Sequence, residues 1–297
     1  MSDSPFYGRK TAIAALCFAQ LTLAWITSAA VTLPALAPLR RHPDGAFALY
    51  TDGGRILFEV LSQSHTTLTL GAATLGLVTV LYGFVWLLLG AMIPVLAVVE
   101  PAPPLYRAAS YSLRRFPSLL GLATLALLGY ALAGAAGAFA WGHLSHQAER
   151  MVDARAGDLL QLRAAVPALA IAALVSVWHD VARTWAVGSG QGVWSSTIDA
   201  LATLVMAPIQ TLARAAGYAL LGALAVVVAW GASRIFGGRD GGALIALIVT
   251  QQLALVWRFG CRARWLLHLG ALYRKRTSPS VAEADDETET GTAAAPE

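Results

Sequence analysis

The sequence predicts an all-α membrane protein: six transmembrane helices, with two amphipathic helices lying in the cytoplasmic-side interface. Three observations predict it. Six apolar stretches recur along the 297 residues, each near or above the roughly 20 residues a helix needs to cross a bilayer. Only 13% of residues are charged, against about 25% in soluble domains, and they fall mostly in the gaps between the stretches. Two of those gaps carry apolar residues at helical spacing. The chain is 57% hydrophobic with a net charge of +4. A basic balance also fits nucleic acid. Here the basic residues flank apolar segments and form no patch of their own, so the bilayer is the expected partner and nucleic acid is not.

The first membrane segment is Thr11 to Leu39. It runs too far for a cleavable signal peptide, with Pro34 and Pro38 near its end. The connection Arg40 to Thr66 carries turn signals at His42-Pro43-Asp44-Gly45 and Asp52-Gly53-Gly54, and a short surface helix is expected around Arg55 to Gln63. The second segment, Thr67 to Val99, is longer than a straight crossing needs and contains Pro94, so a kink or tilt is expected.

The connection Pro101 to Pro117 places Leu105, Ala109, Leu113 and Phe116 on one helical face, with Arg107 and Arg114 opposite. The third segment, Leu119 to Gly142, leads into His143 to Arg163, whose balanced charge reads as a helical extension. The fourth is Ala164 to Val187. In the connection Val193 to Ile209, Trp194, Ile198, Leu201 and Val205 share one side, with Ser196, Asp199 and Thr203 opposite. Both connections read as interfacial helices whose apolar face sinks into acyl chains while the polar face stays wet. The fifth segment, Ala213 to Phe236, and the sixth, Gly242 to Leu269, are joined by a tight turn at Gly237 to Gly241. A unit of membrane helix, interfacial helix, membrane helix thus occurs twice, as a weak repeat of topology.

The six-helix domain is expected to occupy 1–276. The remainder, 277–297, is acidic and has Val281 as its lone bulky apolar residue, too little to bury for a fold, so it reads as a disordered tail. Arg274-Lys275-Arg276 just before it suits anionic headgroups. An even number of crossings puts both termini on one side. Cytoplasmic termini give the inner face 13 Lys and Arg against 8 outside, so that orientation is expected, although Arg40 and Arg41 argue against it.

Polar residues on the apolar scaffold are the candidate site. His179-Asp180-Val181-Ala182-Arg183 lies at the inner end of the fourth segment. Asp180 and Arg183, three apart, share a helix face, and near a membrane such groups are costly unless paired or wet. The functional reading is a proton or substrate contact. The plainer reading is a structural ion pair. Gln251, Arg258 and Arg262 recur at seven and four residues on one face of the sixth segment, which allows a bridge from Asp180 to Arg258 or Arg262. Snorkelling of these arginines to phosphates is the alternative. Gln251 and Gln252 lie deeper and need partners, by default on another helix.

His143, His146 and Glu149 stack at spacing three and could hold Zn²⁺, but no second ligand set accompanies them. Trp141 and Trp230 are expected in an outer aromatic belt and Trp185, Trp257 and Trp265 in an inner one; Trp25 and Trp86 read as packing residues. Ala133 to Gly137 would permit close helix contact, a pattern of little weight in so Ala-rich a chain. Cys17 and Cys261 lie in apolar stretches and no C-x-x-C occurs. There is no G-x-x-x-x-G-K-S/T, no H-E-x-x-H, no nucleophile elbow and no pair of deep histidines for a haem, so no cofactor is expected.

Arg114-Arg115-Phe116-Pro117 before one helix, Asp180-Val181-Ala182-Arg183 at the end of the next, the Val193 to Ile209 elbow and Gln252 through Arg262 together resemble a large set of uncharacterised bacterial six-helix membrane proteins with a D-x-A-R motif. The likeness spans nearly the whole chain except the tail. It departs at Trp185 to Gly192, uncharged and Gly-rich where that set often has a charged run. It implies the fold and an inner-membrane topology, and no activity. The expected function is therefore a non-enzymatic scaffold or accessory subunit of a membrane complex, with protein partners or further copies of itself. A transporter of a small molecule or lipid is the alternative, since repeats around a polar site are a transporter plan. A lipid enzyme ranks third for want of a nucleophile and base.

Overall fold

A segment of Leu, Ala and Gly in apolar surroundings has no water to satisfy its backbone, and a helix satisfies it within one segment. The computed structural model describes residues 5–39, 83, 85, 87–151, 153–236 and 241–277, and contains no strand among them. Its helices are α1 (Pro5–Leu39), α2 (Leu87–Val98), α3 (Leu105–Arg114), α4 (Phe116–Ala148), α5 (Ala154–Arg163), α6 (Ala165–Ser189), α7 (Val193–Met206), a π-helical turn (Ile209–Ala213), α8 (Arg214–Phe236) and α9 (Gly242–Thr277). Three are long and apolar enough to cross a membrane: α4, α6 and the continuous stretch Ile209–Phe236. The helices α2 and α7 are shorter and also apolar.

Several boundaries differ from the sequence reading. The helix α4 runs unbroken past Gly142 to Ala148, and α5 follows as a separate helix after a turn, so the connection there is more than an extension. The last helix continues past Leu269 to Thr277. Pro94 is buried inside α2, which stays helical across it. The readings for Arg40 to Thr66, most of the second segment, the Gly237 turn and the acidic tail lie outside the described residues.

Local chemistry sets the helix ends. Pro117 sits in the first turn of α4, where its missing N–H is no loss. At the end of α6, Gly190 takes a left-handed φ of 70°, which a Cβ disfavours. Arg115 Nη1 donates to the Gly190 carbonyl at 2.5 Å and ties this end to the junction of α3 and α4. The helix α7 stops at Ala207, one residue before Pro208. Thr211 in the π-helical turn is fully buried and donates to the Ala207 carbonyl at 2.8 Å, closing the gap.

The helices α4 and α6 form an antiparallel pair whose contact is a stripe of small residues. A Cβ at Gly129 would lie 2.7 Å from Val175 Cγ2, and one at Gly137 would lie 2.9 Å from Ala168 Cβ. Ala133, buried, sits between them in sequence. The helices α8 and α9 are joined by Trp257 Nε1 donating to the Leu221 carbonyl at 3.0 Å and by Gln251 Nε2 donating to Ser233 Oγ at 3.3 Å.

The core lies at the end of the bundle that carries α3 and α7. Leu16, Ile93, Leu96, Leu119, Leu122, Val181, Leu266 and Leu269 meet there. Away from that end the pattern reverses. No more than 22% of the most apolar window of each of the three long helices is buried, and Leu127, Leu132, Phe139 and Leu220 point outward. Burial of such a side chain away from water stabilises by about 1.5–3 kcal/mol. Leaving a dozen or more in water would exceed the whole stability of a typical domain, about 5–15 kcal/mol. A bilayer removes that cost.

The polar residues turn the other way. On α7, Trp194 is 72% and Val205 79% exposed, while Ser196, Ala200 and Thr203 are buried. The sequence reading placed Ser196 and Thr203 on a wet face. They instead pack against the protein, because α6 and α9 supply hydrogen-bond partners for Thr203. On α3 the inward residues are Ala108 and Ser112, and Leu113 is exposed. The predicted apolar stripe of α7 is thus the outward side, whereas on α3 the predicted stripe divides: Leu113 points outward, and Leu105 and Phe116 pack against the core.

Candidate functional site

Two pairs spaced by three residues meet between α6 and α9. Asp180 and Arg183 share a face of α6, and Arg262 and Trp265 share a face of α9. Arg183 Nη2 donates to Asp180 Oδ1 at 3.1 Å, Arg262 Nη2 donates to the same oxygen, and Trp265 Nε1 donates to Oδ2 at 2.9 Å. Asp180 is 0% exposed and Arg183 1%, whereas the side chain of Arg262 is 34% exposed. Thr184 Oγ1 caps the Asp180 backbone carbonyl at 2.8 Å. The carboxylate is thus an acceptor hub with both oxygens engaged, fastening α6 to α9.

The sequence reading set Asp180 at the mouth of the fourth segment. It lies nine residues before the end of α6, about 13 Å along the axis at 1.5 Å per residue, inside the core. The expected cluster divides. Asp180, Arg183 and Arg262 come together, but Gln251 and Arg258 do not join them. Gln251 is eleven residues from Arg262, about 16 Å along the helix, and bonds Ser233. Arg258 is exposed, with its aliphatic stem facing Gly222 of α8. Gln252 accepts from Trp25 Nε1 at 3.2 Å.

Sequence reasoning missed Trp265 and Gly90. Trp265 was expected in an interfacial belt, yet it is 3% exposed and its indole N–H reads Asp180. The signal available was its spacing of three from Arg262. Gly90 on α2 abuts the guanidinium of Arg183, since a Cβ there would lie 2.8 Å from Nη1. A pocket of about 30 Å³ lies beside the cluster, lined by residues of α1, α2, α6 and α9 that include Gln20, Gly90, Arg183, Phe259, Arg262 and Leu266. Arg183 Nε and Nη1 have no hydrogen-bond partner among the described residues, nor does Nε2 of buried His179.

A second polar set lies nearer the ends of α6 and α9. Thr203 Oγ1 accepts from Trp185 Nε1 at 3.1 Å and from Arg276 Nη1 at 3.0 Å, and donates to the Asp199 carbonyl at 2.7 Å. Tyr273 packs edge-on against Trp185 with ring centroids 4.8 Å apart. Burial first, then Tyr111 and Asp199, holds the Tyr273 phenol above its usual pKa, so it stays neutral. Glu100 bridges Arg9 at 3.6 Å and Arg274 at 3.1 Å, linking the start of α1 to the end of α9. Elsewhere, His146 and Glu149 lie 3.9 Å apart and both are exposed. No family model matches the chain, and neither a curated protein nor a solved structure matches it.

Proposed function

We propose that this chain is a six-span protein of a bacterial inner membrane, with both termini cytoplasmic, acting as a non-enzymatic scaffold or accessory subunit of a membrane complex. The observation that carries this reading is the use made of the buried charges. Asp180 spends both carboxylate oxygens on Arg183, Arg262 and Trp265, so the cluster fastens helices. Among the described residues, the cavity beside it is about 30 Å³ and that beside Thr203 and Tyr273 about 10 Å³, room for one or two waters and not for a metabolite.

The count of six crossings adds α1, the segment ending in α2, and α9 to the three apolar helices. In its support, Thr11 to Leu39 and Gly242 to Trp257 carry no Asp, Glu, Lys or Arg. The outward apolar stripe of α7, Trp194, Ile198, Leu201 and Val205, supports its interfacial placement. Arg183 and Arg262 are held by Asp180 and leave the basic count, which becomes 11 against 8 and still favours cytoplasmic termini. The resemblance to bacterial six-helix proteins agrees.

Purification in mild detergent followed by intact-mass analysis tests the role. A stoichiometric protein partner is expected. A retained metabolite with no protein partner would overturn the scaffold reading and favour transport, the second reading, which the unpartnered N–H groups of Arg183 motivate.

A further inference from the structure

We infer that the pocket between α1, α2, α6 and α9 binds an oxyanion group, a phosphate or carboxylate, through the guanidinium groups of Arg183 and Arg262. Two arginines share a single carboxylate, so the cluster carries one uncompensated positive charge. No other carboxylate among the described residues touches either of them. Arg183 is 1% exposed, and its Nε and Nη1 groups are without partners. It lines the pocket, as does Arg262. Water would satisfy those hydrogen bonds but would leave the extra positive charge, shared between buried Arg183 and partly exposed Arg262, without a counter-charge. An oxyanion satisfies both, with the fork geometry guanidinium groups favour.

Other features fit the same occupant. Gly90 places no Cβ where the Nη1 face of Arg183 meets the pocket. Gln20 adds an amide to the lining. About 30 Å³ admits the oxygens of a headgroup and little more. A larger molecule would extend outward past Arg262, the partly exposed member. The inference requires a folded bundle around Arg183 and Arg262 and stands apart from the scaffold role.

The test uses the full chain in neutral detergent, read by thermal melting and native mass spectrometry. One arm compares phosphatidylglycerol with phosphatidylcholine. The other compares inorganic phosphate with chloride at equal ionic strength. Phosphatidylglycerol is expected to raise the melting temperature and to stay bound where phosphatidylcholine does not. Stabilisation by phosphatidylglycerol alone identifies a lipid headgroup, and stabilisation by phosphate as well identifies a free oxyanion site. Arg262→Gln should weaken binding about tenfold, the loss expected for one charge-assisted hydrogen bond, while the exposed Arg258→Gln should not. Should Arg262→Gln fail to fold, Arg262→Lys, which keeps the charge but loses the fork, makes the same comparison. No advantage of phosphatidylglycerol over phosphatidylcholine together with none of phosphate over chloride, or equal binding by the Arg262 and Arg258 variants, would overturn the site.

Discussion

At the scale of single residues the account turns on Asp180. Removing a buried charge partner costs about 3–5 kcal/mol when the pair is desolvated, and Asp180 is 0% exposed with two guanidinium donors. Asp180→Ala is therefore expected to destabilise by that amount in a detergent melt. Asp199→Ala, at a half-buried position on α7 whose side chain makes no ion pair among the described residues, should cost about 0–1 kcal/mol. Equal small shifts would mean that Asp180 is wet. Trp265→Phe keeps the ring's bulk and deletes one donor to Oδ2. It should cost about 1.5–3 kcal/mol, the range for hydrogen bonds to charged groups.

The pairing of Asp180 with Arg183 was legible because i,i+3 spacing fixes it locally, and Arg262 was one of two candidates. The choice between Arg258 and Arg262 was not legible. They sit one turn apart on α9, and the rotation of that helix against α6 and α8 decides which one turns inward. Trp265 was misassigned because a Trp near a basic run reads as an interface anchor until its donor's partner is known.

Elements teach a related lesson. The apolar period of α7 and its outward direction were legible in the sequence, but the packing of its polar side was not, and on α3 the stripe divides, with Leu105 against the core and Leu113 outward. Only the partners of Thr203, brought by α6 and α9, show that the polar side of α7 is the packed side. The small-residue stripe of α4 was likewise present and uninformative by itself, because Ala is everywhere in this chain; the close approach of Val175 and Ala168 gives it meaning. Substituting Gly129→Leu should part α4 from α6 and lower the melting temperature more than Gly134→Leu, whose Cβ meets nothing within 4 Å. At the C-terminus of α6, Gly190→Ala should cost about 1–2 kcal/mol for its left-handed backbone. Arg115 close by adds a steric conflict. A neutral Gly190→Ala would mean that this helix end is free to re-form elsewhere.

The whole molecule is arranged inside out, with charge and hydroxyl groups buried at the end carrying α3 and α7 and hydrophobic faces turned outward along the long helices. The all-helical, membrane-embedded class was legible because it follows from segment length and charge exclusion, which need no tertiary information. The acidic tail is expected to be dispensable: ending the chain after Arg276 should leave the melting temperature unchanged, and loss of folded protein would refute that. The central claim is the placement of this inside-out bundle, with its charged end toward the cytoplasm. Cysteine labelling in intact cells tests it most directly, in a background with Cys17 and Cys261 replaced by Ser and one new Cys at Asp52 or at Ser280. An impermeant maleimide should label position 52 and should reach 280 only after permeabilisation. Labelling of 280 in intact cells, or protection of 52, would contradict the placement.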